Sequence, residues 1–406
     1  MLLRDRLEDT IEANRDRLVT PVFLLITLST FAYFVSVGAI IPVLPRYVEG
    51  PLGGTQLNVG LAVGAFSIAA VVLRPLAGRI GDTKGRSILI ICGGVAVALS
   101  TAAFVTVDSM APLMALRILT GLGEAFFYVG AASAVNDLAP EGRRGEAVSF
   151  FSLALYSGLA VGPVVGETVL SAASFDAVWL VSAGAGVVAG LIGIFIPETR
   201  AAEHIGPGNG RLIHPAGLLP GAVLATSVWG LSGFNAFVPL YALDLGMDGS
   251  RIAFVIFSAV VLTIRLFGAR LPDRFGARRT ARTSLAVSAA GLVAMGLLQS
   301  TAGLLLGTVV FAVGQALAFP ALMTLAVSAT PPAERGAVVG TFTAFFDLAF
   351  GLGAVTLGAI SEALGYPGLF VSAGVVAIAG MIGLIALGDR VSSVRTRRIE
   401  EACEPY

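Results

Sequence analysis

Gly78-Arg79-Ile80-Gly81-Asp82-Thr83-Lys84-Gly85-Arg86-Ser87 stands between two long apolar runs. The stretch reads as a tight, charged turn joining two membrane helices. Its glycines permit a sharp reversal and close approach of a neighbouring helix end. Asp82 is an anion placed to cap helix amides, and Lys84 and Arg86 are cations suited to a membrane surface.

A second copy appears as Ala269-Arg270-Leu271-Pro272-Asp273-Arg274-Phe275-Gly276-Ala277-Arg278. Asp82 maps onto Asp273 at an offset of 191 (273 less 82). That register also carries Arg74 to Arg265, Arg79 to Arg270, Gly85 to Gly276 and Arg144-Gly145 to Arg335-Gly336. So many matches in one register imply a tandem duplication of half the chain, the organisation of many membrane transporters.

Composition agrees. Only 13% of the 406 residues are charged and 56% are hydrophobic, and the mean hydropathy is +0.88. A soluble chain carries about 25% charged residues. Lys plus Arg and Asp plus Glu balance at 26 each, so net charge points to no nucleic-acid partner. Cys92 and Cys403 make no disulfide framework, and His204 and His214 fall in a linker, so no metal, cofactor or enzymatic centre is expected. Charged and polar residues precede the first apolar run, which argues against a signal peptide.

Twelve apolar segments have the length of about 20 residues that a spanning helix needs. They lie near 21–44, 58–79, 87–107, 111–136, 147–170 and 175–196, then near 217–242, 251–271, 281–300, 303–328, 337–362 and 367–388. The expected architecture is all-α and integral to the membrane. A segment at 1–20, read as a surface-lying helix, precedes a bundle at 21–196; a linker at 197–216 leads to a second bundle at 217–388 and a tail at 389–406. Arg46 and Arg251 are the only cations on one side, Arg74, Arg117 and Arg265 lie within spans, and the rest fall on the other side. The positive-inside rule makes that side, with both termini, cytoplasmic.

Gly78-x-x-x-Asp82-x-x-Gly85-Arg86 between spans two and three, with its weaker echo at Asp273 and Gly276, resembles the signature loop of the major facilitator superfamily. The resemblance covers nearly the whole chain. It implies a major facilitator fold of two six-helix bundles, with Asp82 set against the start of helix 11 near Ala337 and Arg86 paired with Asp137. Under the offset, Arg86 and Asp137 become Ala277 and Ser328. Their joint loss is what a contact predicts, since either charge alone would be unpaired. Such a latch joins the halves on the cytoplasmic side and favours an outward-open state.

Arg117-Ile118-Leu119-Thr120-Gly121-Leu122-Gly123-Glu124 resembles the second motif of the superfamily, with Thr120 where glutamine is frequent. Helical spacing sets Arg117, Gly121, Glu124 and Tyr128 on one face. Gly158-x-x-x-Gly162-Pro163-x-x-Gly166 in helix 5 resembles a third motif, associated with antiporters, although Glu167 stands where a further glycine is usual. Glycines at this spacing also serve close helix packing.

Charged side chains at membrane depth face a cavity or a partner. Glu124 and Asp347 are the proton-coupling candidates, with Arg117 responding to the charge of Glu124; a fixed structural ion pair is the alternative. Arg74, Arg117 and Arg265 are the intramembrane cations able to answer Asp347. For Arg74 and Arg265, however, snorkelling to the cytoplasmic surface is the cheaper reading. Glu167 and Glu362, near outer helix ends, read as interfacial residues. Tyr33, Tyr128, Tyr156, Asn235 and Phe346 are candidates to line a central cavity. No Gly-x-x-x-x-Gly-Lys-Ser/Thr loop occurs, which disfavours transport driven by ATP.

The resemblance and these residues lead to one expectation. The chain is a secondary transporter of the plasma membrane working by alternating access, with protons and a small molecule as its partners. It is expected as a monomer that exports an apolar or amphiphilic compound in exchange for protons. The alternative is proton-coupled uptake of a sugar or an organic anion.

Overall fold

The computed structural model describes residues 18–140, 143–199, 213–268, 274–328, 330 and 334–402, with the side chains at 144, 145, 335, 336 and 387–402 excepted. Residues 1–17, most of the linker with His204, the stretch 269–273 with Arg270 and Asp273, and Cys403 lie outside that description.

Within the described residues the chain is a succession of long helices. These are α1 (Pro21–Ile40), α2 (Gln56–Lys84), α3 (Arg86–Ala102), α4 (Met110–Leu138), α5 (Arg144–Ala172) and α6 (Phe175–Phe195). After the linker come α7 (Pro215–Asp244), α8 (Arg251–Phe267), α9 (Ala277–Leu297), α10 (Thr301–Ser328), α11 (335–364) and α12 (366–402). Helices are the natural answer to an apolar solvent, because they satisfy every backbone donor and acceptor within one segment. Ten described helices are long and apolar enough to cross a membrane. One of these, Ala337–Ala386, is the α11–α12 pair, broken at Gly365 where φ is +69°. With α8, whose 17 described residues fall short of a full span, the expected twelve are present.

Polar residues punctuate these helices where the sequence changes character. Thr20 accepts from the Phe23 amide at 3.2 Å to start α1. Thr55 and Asn58 form a reciprocal capping box at α2. The duplicated turn is visible in the backbone: Gly85 and Gly276 both precede a helix with positive φ, at +109° and +84°. An L side chain is strained there, which accounts for glycine at both copies.

Packing repeats as well. In the first half, α1 lies on α5 and α6, α3 on α4 and α6, and α2 on α4. In the second half, α7 lies on α11 and α12, α9 on α10 and α12, and α8 on α10. The halves meet through α2 with α11 and α5 with α8, a pairing that maps onto itself when the halves are exchanged. Even single bonds recur. The Tyr47 hydroxyl donates to the Val107 carbonyl at 2.6 Å, and the Tyr241 hydroxyl donates to the Met295 carbonyl at 3.1 Å. Around the outside, Val72, Leu99 and Phe267 present exposed apolar surface, as expected of helices solvated by lipid.

Candidate functional site

A central cavity of about 280 Å³ opens between the halves, lined by α1, α2, α4 and α5 on one side and α7, α8, α10 and α11 on the other. Its walls are mainly aromatic and aliphatic, with a few charged groups among them. That composition is typical of a small-molecule site. The end of the molecule bearing Thr20, Gly85 and His214 is its linker face, and the opposite end is its far face.

Charge at mid-depth converges on Arg74. One guanidinium nitrogen donates to Oδ2 of Asp347, and the other approaches Oε1 of Glu124 at 3.4 Å. Its guanidinium also lies 4.8 Å from the centroid of the Tyr128 ring. Glu124 belongs to α4 and Asp347 to α11, so one cation from α2 holds a carboxylate from each half. Arg74 therefore does not snorkel to the surface: an apolar setting makes pairing with two acids the better way to keep its charge. Glu124 keeps its second oxygen buried and without a partner among the described residues.

Arg117 is not paired with Glu124. Seven residues separate them on α4, about 10 Å of helix rise, and Arg117 instead donates from Nε to the Ala62 carbonyl at 2.8 Å, with its guanidinium over Phe66. Arg265 likewise stays at cavity depth, with its guanidinium 3.5 Å from the centroid of the Tyr156 ring. Tyr128, Tyr156, Asn235 and Phe346 line the cavity. The amide of Asn235 donates to the Leu231 carbonyl one turn back. Tyr33 does not line it. It is fully buried in the first half, stacked on Phe127 at 3.9 Å, because a wide apolar ring fills the space behind the cavity wall.

At the linker face, Arg86 bonds Asp82 at 2.7 Å and Asp137 at 3.3 Å. Thr199 also donates to Asp137, and Glu198 accepts from the Arg86 amide at 3.0 Å. These bonds tie the turn to the ends of α4 and α6, within the first half. Glu198 lies just past an apolar run, and nothing local in the sequence marks it. Asp82 is bound to Arg86 and its side chain is 69% exposed. Cβ atoms built at Gly78 and at Gly340 would meet nothing within 4 Å.

The far face is closed. Glu167, 3% exposed, pairs with Arg46 at 3.1 Å and accepts from the backbone amide and hydroxyl of Ser250, which precede α8. Glu362 accepts from the Leu57 amide at 3.0 Å in the first turn of α2. Each is an acid ending a helix of one half on the opening turn of a helix of the other, where free amides and the helix dipole favour an anion. A reading of the two as plain interfacial residues misses this pairing. Between them α2 and α11 lie in backbone contact: a Cβ at Gly64 would fall 2.6 Å from the Gly351 carbonyl oxygen. The glycines of α5 pack inside the first half, where Gly158, Gly162 and Gly166 meet Phe34, Gly38 and Ala39 of α1. Pro163 lines the cavity.

The same organisation is found in known proteins. Residues 26–271 and 218–402 match the Major Facilitator Superfamily. An uncharacterized MFS-type transporter of Salmonella typhimurium is 30% identical over 370 residues, covering 87% of this chain and 93% of that protein. One of Burkholderia mallei is 30% identical over 398 residues, covering 92% and 94%. Among solved structures, a bacterial homologue of the human lysosomal transporter Spinster, inward-facing and occupied, superposes with a TM-score of 0.78 at 15% identity, over 92% of this chain and 98% of that one. The human organic anion transporter TETRAN gives 0.68 at 19% identity, over 90% and 100%. At these identities the solved structures speak for the fold alone. Two copied halves, a charged cavity between them and relatives matched end to end lead to one conclusion: this chain is a multi-pass membrane transporter of the Major Facilitator Superfamily.

Proposed function

We propose that the chain couples proton movement to alternating access, with Arg74, Glu124 and Asp347 as the coupling element. The observation that carries this is the position of Arg74, a single cation held by one acid from each half. Protonating Asp347 removes the charge that ties Arg74 to the second half, whereas protonating Glu124 leaves Arg74 to Asp347 alone and tightens that tie, so the two acids bias the halves in opposite directions. Solute and proton then act on the same few groups, which is the condition for coupling them. Inward proton flow would supply ~2.3 kcal/mol per charge per 100 mV, with the pH difference added.

By the positive-inside argument the linker face and both termini are cytoplasmic, and the plasma membrane is the proposed location. The arrangement described is then sealed outside and accessible from the cytoplasm. The described bonds between the halves run from the far face to Arg74, which supports this. In the opposite state, Asp82 would meet the start of α11.

Export of a small amphiphilic compound in exchange for protons is favoured by the Gly-Pro strip of α5 and by the aromatic cavity walls. Arg265, a cavity cation without an acid partner among the described residues, favours the second reading, proton-coupled uptake of an organic anion. Flux measured in right-side-out and inside-out vesicles under an imposed pH gradient separates the two. Coupling itself is tested by the change in bound protons when a transported ligand is added to protein in detergent: release under exchange, uptake under co-transport. Wild type is expected to respond, and Glu124→Gln and Asp347→Asn each to lose most of the response. A full response in both variants would remove the coupling assignment.

A further inference from the structure

Three guanidinium groups and two carboxylates line the cavity. Arg74 answers both acids, and Arg117, also without an acid partner among the described residues, has its Nε satisfied by the Ala62 carbonyl. Arg265 has neither a hydrogen-bond nor an ion-pair partner among the described residues; its Nε is buried and unmatched, and its guanidinium rests on the Tyr156 ring. Even with both acids ionised, the cavity carries one positive charge in excess. An uncompensated cation at this depth is costly, and a solute that brings the missing charge recovers that cost on binding.

The surroundings say what else the solute carries. Phe254, Phe257, Val261 and Arg265 all line the cavity from one face of α8. Phe257 lies about 12 Å of helix rise from Arg265, toward the sealed end. Phe346 and Phe350 of α11 line the same cavity. A planar guanidinium matches a carboxylate with two parallel bonds, and the aromatic stripe suits a flat apolar body extending from it.

We propose that the transported solute is an amphipathic organic monoanion, its carboxylate held by Arg265 and its apolar body laid along the aromatic face of α8. This rests on the reading of the cavity as the transport site. It also bears on direction. An anion at Arg265 and a proton on Glu124 or Asp347 each lower the electrostatic cost of the other. The groups that face this balance are Arg74, Arg117, Glu124, Asp347, Tyr128 and Tyr156. Mutual reinforcement belongs to co-transport, so this occupant goes with the uptake reading.

The test uses the full chain in detergent with three probes of one shape: 1-naphthaleneacetate, its primary amide, and the matching 2-(1-naphthyl)ethylammonium. Binding is measured by thermal shift and calorimetry. The carboxylate is expected to bind at least about tenfold more tightly than the amide, and the ammonium most weakly. Arg265→Gln should abolish the preference for the carboxylate, and Arg265→Lys should retain part of it. Equal binding of carboxylate and amide, a preference unchanged in Arg265→Gln, or binding of none of the three overturns the proposal. The transport reading fails separately. If the amide is driven into or out of vesicles by a proton gradient and the carboxylate is not, transport stands and the anion site falls. If the carboxylate discriminates through Arg265 while Glu124→Gln and Asp347→Asn leave the proton uptake on its binding intact, the anion site stands and the coupling element falls.

Discussion

Arg74 balances two acids that are both at most 16% exposed in their side chains. Removing it strands two negative charges in an apolar setting, whereas neutralising one acid leaves a matched pair. Arg74→Gln is therefore expected to lower stability in detergent by on the order of 3 kcal/mol, and Asp347→Asn by clearly less. The double variant Arg74→Gln/Asp347→Asn should recover part of the loss, since only Glu124 then lacks its partner; thermal unfolding of the three proteins checks the order. Glu124 and Asp347 were legible in the sequence because a lone acid within an apolar run has few innocent explanations. The group that joins them was not. Arg74 lies 50 and 273 residues from its partners, and near the end of a span the same residue type suits snorkelling equally well. Arg117 misled for the opposite reason: sharing a helix face with Glu124 suggested a pairing, but its guanidinium turns to the Ala62 carbonyl and the Phe66 ring instead.

At the scale of helices, the far face is held by two equivalent devices, Glu167 of α5 at the start of α8 and Glu362 of α11 at the start of α2. A carboxylate on a helix N-terminus contributes up to about 2 kcal/mol in a partly buried setting, so Glu167→Gln should shift the balance toward a far-face-open form by at least roughly fivefold. Glu362→Gln, at an exposed site, should add a smaller shift of the same sign. Spin labels at Asp108→Cys and Asp248→Cys, in a background without Cys92 and Cys403, report the gap. A distance distribution identical to the parent's would exclude this role. The glycine strip of α5 was readable as a close-packing surface. Its partner was not, because small residues announce that a neighbour comes near without saying which, and the neighbour is α1. The glutamates that end α5 and α11 escape notice for a similar reason: nothing local distinguishes an acid facing water from one facing a helix start far away in sequence.

For the whole molecule, the duplication was legible, to within a few residues of register. The offset that aligns the two charged turns also aligns two positive-φ glycines, and the repeat of helix contacts goes with it. What a single sequence does not encode is which of two equivalent ends is shut. The resemblance suggested a latch for an outward-open form, while the structure is closed at the far face. In the opposite form α2 and α11 must converge at the linker face. Gly78→Cys with Gly340→Cys, placed where side chains now meet open space, should cross-link poorly here. The yield should rise severalfold once a ligand or a proton gradient drives the exchange. Unchanged yield under every condition would argue against rocking of the two halves. The closed end has a further property. Where α2 and α11 touch, Gly60 and Gly64 face Ala354 and Gly351 through main-chain atoms, too close for water to pass between these two helices. Vesicles holding the idle protein should keep an internal pH as long as empty ones do, and Gly64→Leu, which wedges that contact open, should turn the same protein into a slow proton leak visible with an entrapped pH dye.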